Sequence, residues 1–483
     1  MSVPNEDSDS ESEDNEMDRL SETSGENQMN DDMEVEHETP VVSQPRAYIP
    51  GQSRPLMDDE ELVMDKSAYR LFYDFKIESS SLSFDVLLDN LGAEREVELD
   101  GEPVCAYLVA GTQAARGIDN SLVVMRLSNM RPFHKKPEKA EDEEDSDSDD
   151  SSSSSSDEDL DSQPELEAAS IKHTGVVNRV RAHQHAGRYL AAAWSDNGQV
   201  SIWDLTRPLT AVNDSAVMSE YVRSNESPAP VFTFKGHRTE GFALDWSPHP
   251  NSAGVLASGD CNGRIHCWSP APSGWSVSKK PYTGHTESVE DIQWSSTEPT
   301  VFISVSADRS FRVWDTRCPG KSMLAVPEAH PSDINVASWN KLQPVSFLTG
   351  GDDGSLRVWD LRLVHKRYGA GDHSSTIPAY THIYDYHSKP ITSVEWHPFD
   401  AGVFTATSED DQTTLWDTTL EQAEEPQEEG ASGDDEVANL PVQLLFIHTG
   451  QKEVKEAHWH PQIPGLLLTT SLDGFNVFRT RNI

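Results

Sequence analysis

The sequence predicts an all-β fold, a seven-bladed β-propeller that also carries an N-terminal helix and disordered acidic segments. Three observations support this prediction: one pattern recurs along the chain, each copy contains short runs of alternating apolar residues, and each copy closes on an aromatic residue. The clearest copy begins at Gly284-His285, passes a tight turn at Asp308 and ends at Trp314-Asp315. A period of about forty residues with several short strands is typical of a four-stranded propeller blade.

Six copies of the pattern are recognisable. In three of them a His and a Trp are 29 residues apart: His285 and Trp314, His330 and Trp359, His387 and Trp416. Looser copies run from His237 to Trp268, from His173 to Trp203 and from His448 to Phe478. We assign these six copies to blades two to seven.

The pattern resembles the WD-repeat (WD40) family. That resemblance implies that the His, a Ser or Thr, a turn Asp and the Trp form a buried hydrogen-bonded chain that braces each blade. Asp308, Asp353 and Asp410 stand six residues before the Trp, whereas Asn197 and Asn262 stand at the equivalent turns. Because a buried network stabilises only when every member is satisfied, we expect two weakened braces. These residues are interpreted as scaffold and not as catalytic groups.

The first blade is atypical. Three β-like runs, 81–88, 105–111 and 121–127, precede a fourth strand near 167–173, so the acidic, Ser-rich stretch 138–163 is an insertion within this blade. Counting strands gives 27 where seven blades need 28. We expect a segment near the N-terminus to supply the missing strand, because pairing the two chain ends removes an exposed sheet edge.

The N-terminal region is predicted in two parts. Residues 1–57 are acidic and polar and are expected to be disordered. Residues 58–77 are expected to form a helix that packs on the propeller, since their first residues are carboxylates, which favour a helix N-terminus. Leu62, Tyr69, Phe72 and Tyr73 fall close to one face of that helix. The propeller then occupies residues 78–483, with acidic insertions at 138–163 and 421–436.

The net charge of −45 is concentrated in three segments. Residues 1–40, 138–168 and 421–436 carry −14, −14 and −8, which together are −36 of the total. Such runs stay solvated and favour basic protein partners, although they could serve only solubility. Dense negative charge repels phosphate, so we expect no direct nucleic-acid binding by these segments.

No enzyme, cofactor, metal or membrane association is predicted. The sequence has no Gly-rich phosphate loop, no metalloprotease motif and no nucleophile elbow. Cys105, Cys261, Cys267 and Cys318 fit neither a disulfide framework nor a paired metal site, which indicates a reducing compartment. No signal segment or membrane-spanning apolar run is recognisable.

The order of parts resembles the histone-binding WD-repeat proteins of the retinoblastoma-binding type: an N-terminal segment leads into SLSFDVL, and an acidic insertion precedes QLLFIHTG. In that family, the N-terminal helix and an acidic loop form a groove for a basic histone helix. The resemblance places Leu62, Tyr69, Phe72 and Tyr73 on the apolar side of this groove. It places these residues on the acidic side: Glu428, Glu429, Asp434, Asp435 and Glu436.

Within that group, the acidic N-terminus and the acidic insertion of the first blade resemble the ribosome-assembly branch. This resemblance implies a nuclear and nucleolar protein that acts on pre-ribosomal particles, escorts a basic large-subunit ribosomal protein of the L-three type and binds core histones. Several serines have a carboxylate three residues on and are candidate phosphorylation sites: Ser8, Ser10, Ser146, Ser154, Ser155 and Ser156.

A third signal favours another function. Arg317 and Arg362 end two consecutive WDxR sequences, which resemble the motifs of substrate receptors for cullin-four ubiquitin ligases. There the two arginines contact the ligase adaptor, and the planar guanidinium suits such an interface. The alternative is that each arginine pairs with a neighbouring acid on the propeller.

Overall fold

A computed structural model describes residues 48–57, 60–98, 101–133, 163–224, 228–369, 379–421 and 440–483. The unit Ile49–Ile483 contains all the described sheets, which are seven antiparallel blades. The seven-bladed propeller predicted from the sequence is therefore confirmed. The predicted insertions 138–163 and 421–436 lie almost entirely outside the described residues.

The strands are short and follow one another along the whole propeller. In chain order they are β1 (Tyr69–Lys76), β2 (Ser81–Leu87), β3 (Val104–Thr112), β4 (Ser121–Met130), β5 (Glu165–Lys172), β6 (Val177–His185), β7 (Arg188–Ser195), β8 (Val200–Asp204), β9 (Phe232–Phe234), β10 (Leu244–Trp246), β11 (Leu256–Gly259), β12 (Arg264–Ala271), β13 (Gly274–Val277), β14 (Tyr282–Thr283), β15 (Val289–Trp294), β16 (Val301–Ser306), β17 (Phe311–Asp315), β18 (Leu324–Val326), β19 (Ile334–Trp339), β20 (Ser346–Gly351), β21 (Leu356–Asp360), β22 (Tyr380–Tyr384), β23 (Ile391–Trp396), β24 (Val403–Ser408), β25 (Thr413–Asp417), β26 (Leu444–His448), β27 (Glu456–Trp459), β28 (Leu466–Ser471) and β29 (Gly474–Thr480).

Helices are few and lie in the connections. They are the α-helices α1 (Thr206–Ala211), α2 (Ser215–Ser224) and α3 (Leu361–Val364), a π-helical turn at His365–Gly369, and 3-10 turns at Lys66–Ala68, Gly117–Asp119 and Pro250–Ser252. None of the helices in the described part of the chain has the length and apolar character needed to cross a membrane.

Each blade runs outward from the propeller axis in chain order. The blades are β2–β5, β6–β9, β10–β14, β15–β18, β19–β22, β23–β26, and a seventh blade of β27, β28, β29 and β1. Because neighbouring strands are antiparallel, the connections between strands one and two and between strands three and four leave from the same face. We call this the lower face and the opposite one the upper face.

The chain ends close the ring, as the sequence predicts, but the segment that does so is not a helix. Tyr69–Lys76 is the strand β1, and it pairs with β29 from Tyr69 opposite Thr480 to Lys76 opposite Gly474. Among residues 60–77, only the 3-10 turn Lys66–Ala68 is helical. The helix predicted over 58–77 is therefore wrong, and its C-terminal part is the missing strand of blade seven.

A second set of contacts joins the blades near the axis. Inner-strand side chains accept backbone N–H groups from the next blade: Asp85 from Ala182 (2.7 Å), Asp245 from Trp294 (2.7 Å), Asp291 from Ala337 (3.1 Å), Ser338 from Trp396 (3.1 Å), Glu395 from Trp459 (3.0 Å) and Glu456 from Phe84 (2.8 Å). Arg179 Nε donates to the carbonyl of Phe242 at 3.0 Å and links blades two and three. All seven junctions are thus joined by side chains.

The predicted braces are present, with one correction. In blade four, His285 Nδ1 lies 2.9 Å from Asp308, its Nε2 lies 2.7 Å from Ser304, and Trp314 Nε1 donates to Ser304 at 2.8 Å. Blades five and six have equivalent chains through Thr349 and Thr414.

Blades two and three are the ones for which weakened braces were predicted. In blade three, His237 Nδ1 lies 3.0 Å from Asp260, two residues before the predicted Asn262, so this brace is complete. In blade two, His173 Nδ1 contacts the Gly175 carbonyl, and Asn197 donates to the Thr174 carbonyl. The blade-two brace therefore lacks its carboxylate, as predicted.

Candidate partner-binding surface

A half-buried apolar cluster lies at the seam of blades six, seven and one. We define the seam cluster as Tyr69, Phe72, Phe133, Leu445 and Phe446, which belong to one packed group. The Tyr69 ring centroid lies 5.3 Å from that of Phe446 and 5.5 Å from that of Phe72. Tyr69 is buried, while the other four side chains are partly exposed. The cluster therefore offers apolar surface to a partner.

Both acidic insertions are anchored beside the seam cluster. Phe133 is the last described residue before the first insertion, and its N–H donates to the Arg70 carbonyl at 2.8 Å. Leu445 and Phe446 lie in β26, which the chain enters soon after the second insertion, and Asn482 donates to the Leu445 carbonyl at 2.8 Å. Insertions that are distant in sequence thus leave the propeller at neighbouring points.

The acidic N-terminal region reaches the same place. Residues 60–65 are exposed and combine carboxylates with apolar side chains, of which Leu62 and Val63 are 59% and 85% exposed. Arg481 Nε donates to the Ser67 carbonyl at 2.5 Å and ties this segment to the end of blade seven. Three acidic regions therefore converge on one apolar cluster.

The predicted apolar side of the groove is only partly brought together. Tyr69 and Phe72 pack on the blade-six side of β1, whereas Tyr73 packs on the blade-one side. The Tyr73 hydroxyl donates to the Arg131 carbonyl at 2.9 Å. Leu62 lies outside β1 in extended, exposed chain. The four residues do not share one helical face, because the expected helix is absent.

The remaining predicted residues of this site fall in other parts of the chain. Those on the acidic side of the groove lie outside the described residues: Glu428, Glu429, Asp434, Asp435 and Glu436. The candidate phosphorylation sites also lie outside them: Ser8, Ser10, Ser146, Ser154, Ser155 and Ser156. Phe133, Leu445 and Phe446 were not predicted as site residues, although Leu445 and Phe446 follow the acidic run closely.

A buried polar pair fixes β1 beneath the seam cluster. His448 Nδ1 lies 2.7 Å from the Tyr69 hydroxyl, and its Nε2 lies 3.1 Å from the Asn476 amide nitrogen. Burial lowers the pKa of His448 to about 3, so the ring is neutral. Because the Asn476 amide donates to Nε2, the ring proton is on Nδ1 and is donated to the Tyr69 oxygen. Phe478, which replaces the brace Trp, stacks on His448 at 4.1 Å.

The two WDxR arginines have the same geometry in blades four and five. Arg317 Nη2 lies 2.6 Å from Asp315, and Arg362 Nη2 lies 2.6 Å from Asp360. The hydrogen bond from Arg317 lowers the pKa of Asp315 to about 2, and Arg362 lowers the pKa of Asp360. Both arginine side chains remain 71% exposed. Each Asp thus holds its guanidinium in place at the surface.

A buried charge network lies on the inner strands. Glu456 Oε1 accepts from Arg179 at 2.9 Å and from Arg181 at 2.8 Å. Burial opposes the charge of Glu456, but Arg181, His458 and Arg179 hold its pKa well below the usual value. Burial also opposes the charge of His458, yet Glu395 and Glu456 raise its pKa to about 10. The network joins blade seven to blade two, and no sequence signal indicated it.

His458 and His460 do not form a metal site. His458 Nδ1 lies 3.0 Å from Glu395, and His460 Nδ1 accepts the Gln462 N–H at 3.1 Å. The described residues hold no group of three or more His, Cys, Asp or Glu side chains arranged for a metal ion. The four cysteines are free thiols.

Comparison with known proteins agrees with this architecture. A family model that describes the histone-binding protein RBBP4, or the equivalent component of the CAF1 complex, matches residues 59–131. The WD domain, G-beta repeat model matches residues 168–204, 228–269, 276–315, 321–360 and 379–417.

Full-length relatives resemble the chain over most of its length. Protein HEAT STRESS TOLERANT DWD 1 of Arabidopsis thaliana is 45% identical over 91% of this chain and 92% of its own. Ribosome assembly protein rrb1 of Schizosaccharomyces pombe is 39% identical over 90% and 84%. Glutamate-rich WD repeat-containing protein 1 of Dictyostelium discoideum is 40% identical over 89% and 83%. The chain therefore belongs to the glutamate-rich WD-repeat family that includes ribosome assembly protein rrb1.

Proposed function

We propose that this protein is a non-enzymatic WD-repeat scaffold and chaperone for basic proteins. Its main client is a large-subunit ribosomal protein of the L-three type, which it escorts in ribosome biogenesis, and it also binds core histones. One observation carries the proposal: three acidic regions converge on the apolar seam cluster. A basic client with an apolar face would find both kinds of contact at one place.

Long-range charge and short-range packing have different roles in this mechanism. The acidic regions neutralise client Lys and Arg side chains through many weak contacts that salt screens. The seam cluster receives an apolar client face, in the manner of a helix in a groove with a charged rim. Ribosomal RNA, with its higher charge density, displaces the carboxylates and releases the client.

The comparisons support the class of client. Two relatives are named for ribosome assembly or for glutamate-rich WD repeats, and a histone-binding family model matches the region that contains β1. These similarities support action on pre-ribosomal particles in the nucleus and nucleolus. Phosphorylation of the six candidate serines adds about −1.5 to −2 charges each and strengthens client binding. We place the acidic side of the groove at 428–436.

The proposal is tested by binding of a purified L-three-type ribosomal protein to the full chain at low and moderate salt. Deletion of 422–439 is expected to weaken binding at least tenfold, because it removes most of a −8 segment beside the seam cluster. Deletion of 370–378, a nearly neutral insertion in blade five, is the matched control and leaves binding unchanged. Binding that is insensitive both to salt and to the first deletion contradicts the proposal.

A second candidate function is that of a substrate receptor for a cullin-four ubiquitin ligase. The specific observation in its favour is that Arg317 and Arg362 are held alike by Asp315 and Asp360 and stay exposed on adjacent blades. Replacing both arginines with Ala is expected to abolish binding of the purified ligase adaptor without changing client escort. Unchanged adaptor binding in that variant would reject this function.

A further inference from the structure

The lower face of blades four and five carries exposed apolar side chains that the first proposed function does not use. Met323, Leu342 and Leu363 are 55%, 50% and 37% exposed. Met323 lies between strands three and four of blade four, Leu342 lies between strands one and two of blade five, and Leu363 lies in α3. All three therefore leave the propeller on the same face. We call them, with the lysines named below, the lower-face patch.

Hydrogen bonds and packing hold the parts of this patch together. The Leu361 N–H donates to the Val345 carbonyl at 2.9 Å, which joins α3 to the connection that carries Leu342. Asn340 Oδ1 accepts the Leu342 N–H at 3.0 Å and fixes that turn.

Packing also joins the two blades. Leu324 of β18, Val364 of α3 and Tyr368 of the π-helical turn belong to one cluster, and the first two directly follow Met323 and Leu363. The exposed side chains are thus mounted on a packed support that spans blades four and five.

The charge of this patch is opposite to that of the chain. The described lower-face connections of these blades hold six Lys and Arg residues, and Glu298 is their single carboxylate. Lys321, Lys341 and Lys366 have no ion-pair partner among the residues that the structure describes. A positive surface on a chain with a net charge of −45 selects an anionic partner.

We propose that the lower-face patch is a docking surface for a protein that presents carboxylates around an apolar centre. Exposed apolar side chains ringed by basic groups are typical of a protein interface, where Met and Arg are enriched. An RNA backbone would use the positive charges but leave Met323, Leu342 and Leu363 without contacts. The patch borders Arg317 and Arg362, so the inference rests in part on the second candidate function and extends it.

The lower-face patch lies on different blades from the seam cluster. The seam cluster belongs to blades six, seven and one, and the patch belongs to blades four and five. A basic client and an acidic partner can therefore bind at the same time, each on a surface of opposite charge.

The first experiment measures binding of the purified ligase adaptor to full-length variants. Met323→Glu with Leu342→Glu is expected to weaken binding at least tenfold at every salt concentration. Lys321→Glu with Lys341→Glu and Lys366→Glu is expected to do so at low salt, with a smaller effect at high salt. Ile118→Glu and Lys389→Glu, on the upper face, are matched controls and bind like the wild type.

The outcomes separate this inference from the function on which it rests. If replacing Arg317 and Arg362 abolishes adaptor binding while both patch variants bind normally, the inference fails and the receptor function stands. If the wild type does not bind the adaptor, the receptor function fails, and the inference then depends on the second experiment.

The second experiment uses probes of defined chemistry. They are a fluorescein-labelled peptide with the sequence PLMDDEELVMD, taken from residues 55–65, which combines carboxylates with apolar side chains, and a single-stranded RNA. The peptide is expected to bind the wild type at least tenfold more tightly than either patch variant. RNA binding that exceeds peptide binding, or binding of neither probe, overturns the inference.

Discussion

The hydroxyl of Tyr69 lies 2.7 Å from Nδ1 of His448, and this contact links the first strand of the fold to the end of blade six. In other blades the His partner is an Asp in a turn of the same blade. In blade seven the partner comes from the N-terminal strand, since Asn476 and Phe478 occupy the remaining positions of the brace. The brace of this blade is therefore complete only when β1 is in place.

Replacing Tyr69 with Phe tests this pair. The variant keeps the ring packing but leaves the buried Nδ1–H of His448 without an acceptor, which costs about 1–3 kcal/mol of unfolding free energy. Urea denaturation followed by fluorescence measures the loss. Tyr73→Phe is the matched control, because its hydroxyl bonds the Arg131 backbone at the surface. Equal effects of the two substitutions would contradict the assigned role of Tyr69.

The buried His448 also predicts a pH dependence. Its pKa is about 3 in the folded protein and about 6.5 when unfolded, so only the unfolded state binds a proton between these values. The contribution of His448 to stability is therefore lost as pH falls, by about 2 kcal/mol between pH 6.5 and pH 5. Urea unfolding at these two pH values should show a shallower dependence for His448→Gln. A parallel shift of both proteins would refute this.

The brace of blade three distinguishes two neighbouring polar residues. Asp260 is fully buried and contacts His237 Nδ1, whereas Asn262 is exposed. Asp260→Ala leaves His237 and backbone N–H groups unpaired, and we expect a loss of about 3 kcal/mol. Asn262→Ala is expected to change stability by at most about 0.5 kcal/mol. Thermal unfolding of both variants checks the assignment, and a larger effect at Asn262 would show that it is wrong.

The inner charge network predicts a large effect from a small change. Glu456→Gln leaves Arg179 and Arg181 buried beside a neutral amide, and removing one partner of a buried pair costs about 3–5 kcal/mol. Replacing all three residues with Met is expected to recover part of this loss, because no unpaired charge remains. Urea midpoints of the single and triple variants measure the difference. A triple variant less stable than Glu456→Gln would disprove the argument.

The sequence predicted the repeats well because each repeat is a local pattern. The His-to-Trp spacing, the alternating apolar strands and the need for one strand from the N-terminus were all correct. The helix at 58–77 was wrong because β1 is apolar on both faces: Tyr69 and Phe72 face blade six, while Leu71, Tyr73 and Phe75 face blade one. An irregular register between Tyr69 and Leu71 interrupts the alternation, so the apolar residues imitate helical spacing.

The candidate site was less predictable because it depends on closure of the ring. Phe133, Leu445 and Phe446 are distant in sequence and meet only when blades six, seven and one are assembled. The carboxylates of the inner strands, such as Asp85 and Glu456, show no spacing that would indicate their partners in the next blade. Their function depends on three-dimensional neighbours, which a single repeat does not contain.

The pairing of β1 with β29 has a consequence for biosynthesis. Roughly 400 residues separate Tyr69 from its partner Thr480, so at about 5–20 residues per second the first strand waits on the order of 20–80 s after leaving the ribosome. During that interval the edge of β1 is unpaired and open to wrong partners. A protein proposed to shield newly made ribosomal proteins is thus itself vulnerable until the last residues of its own translation emerge.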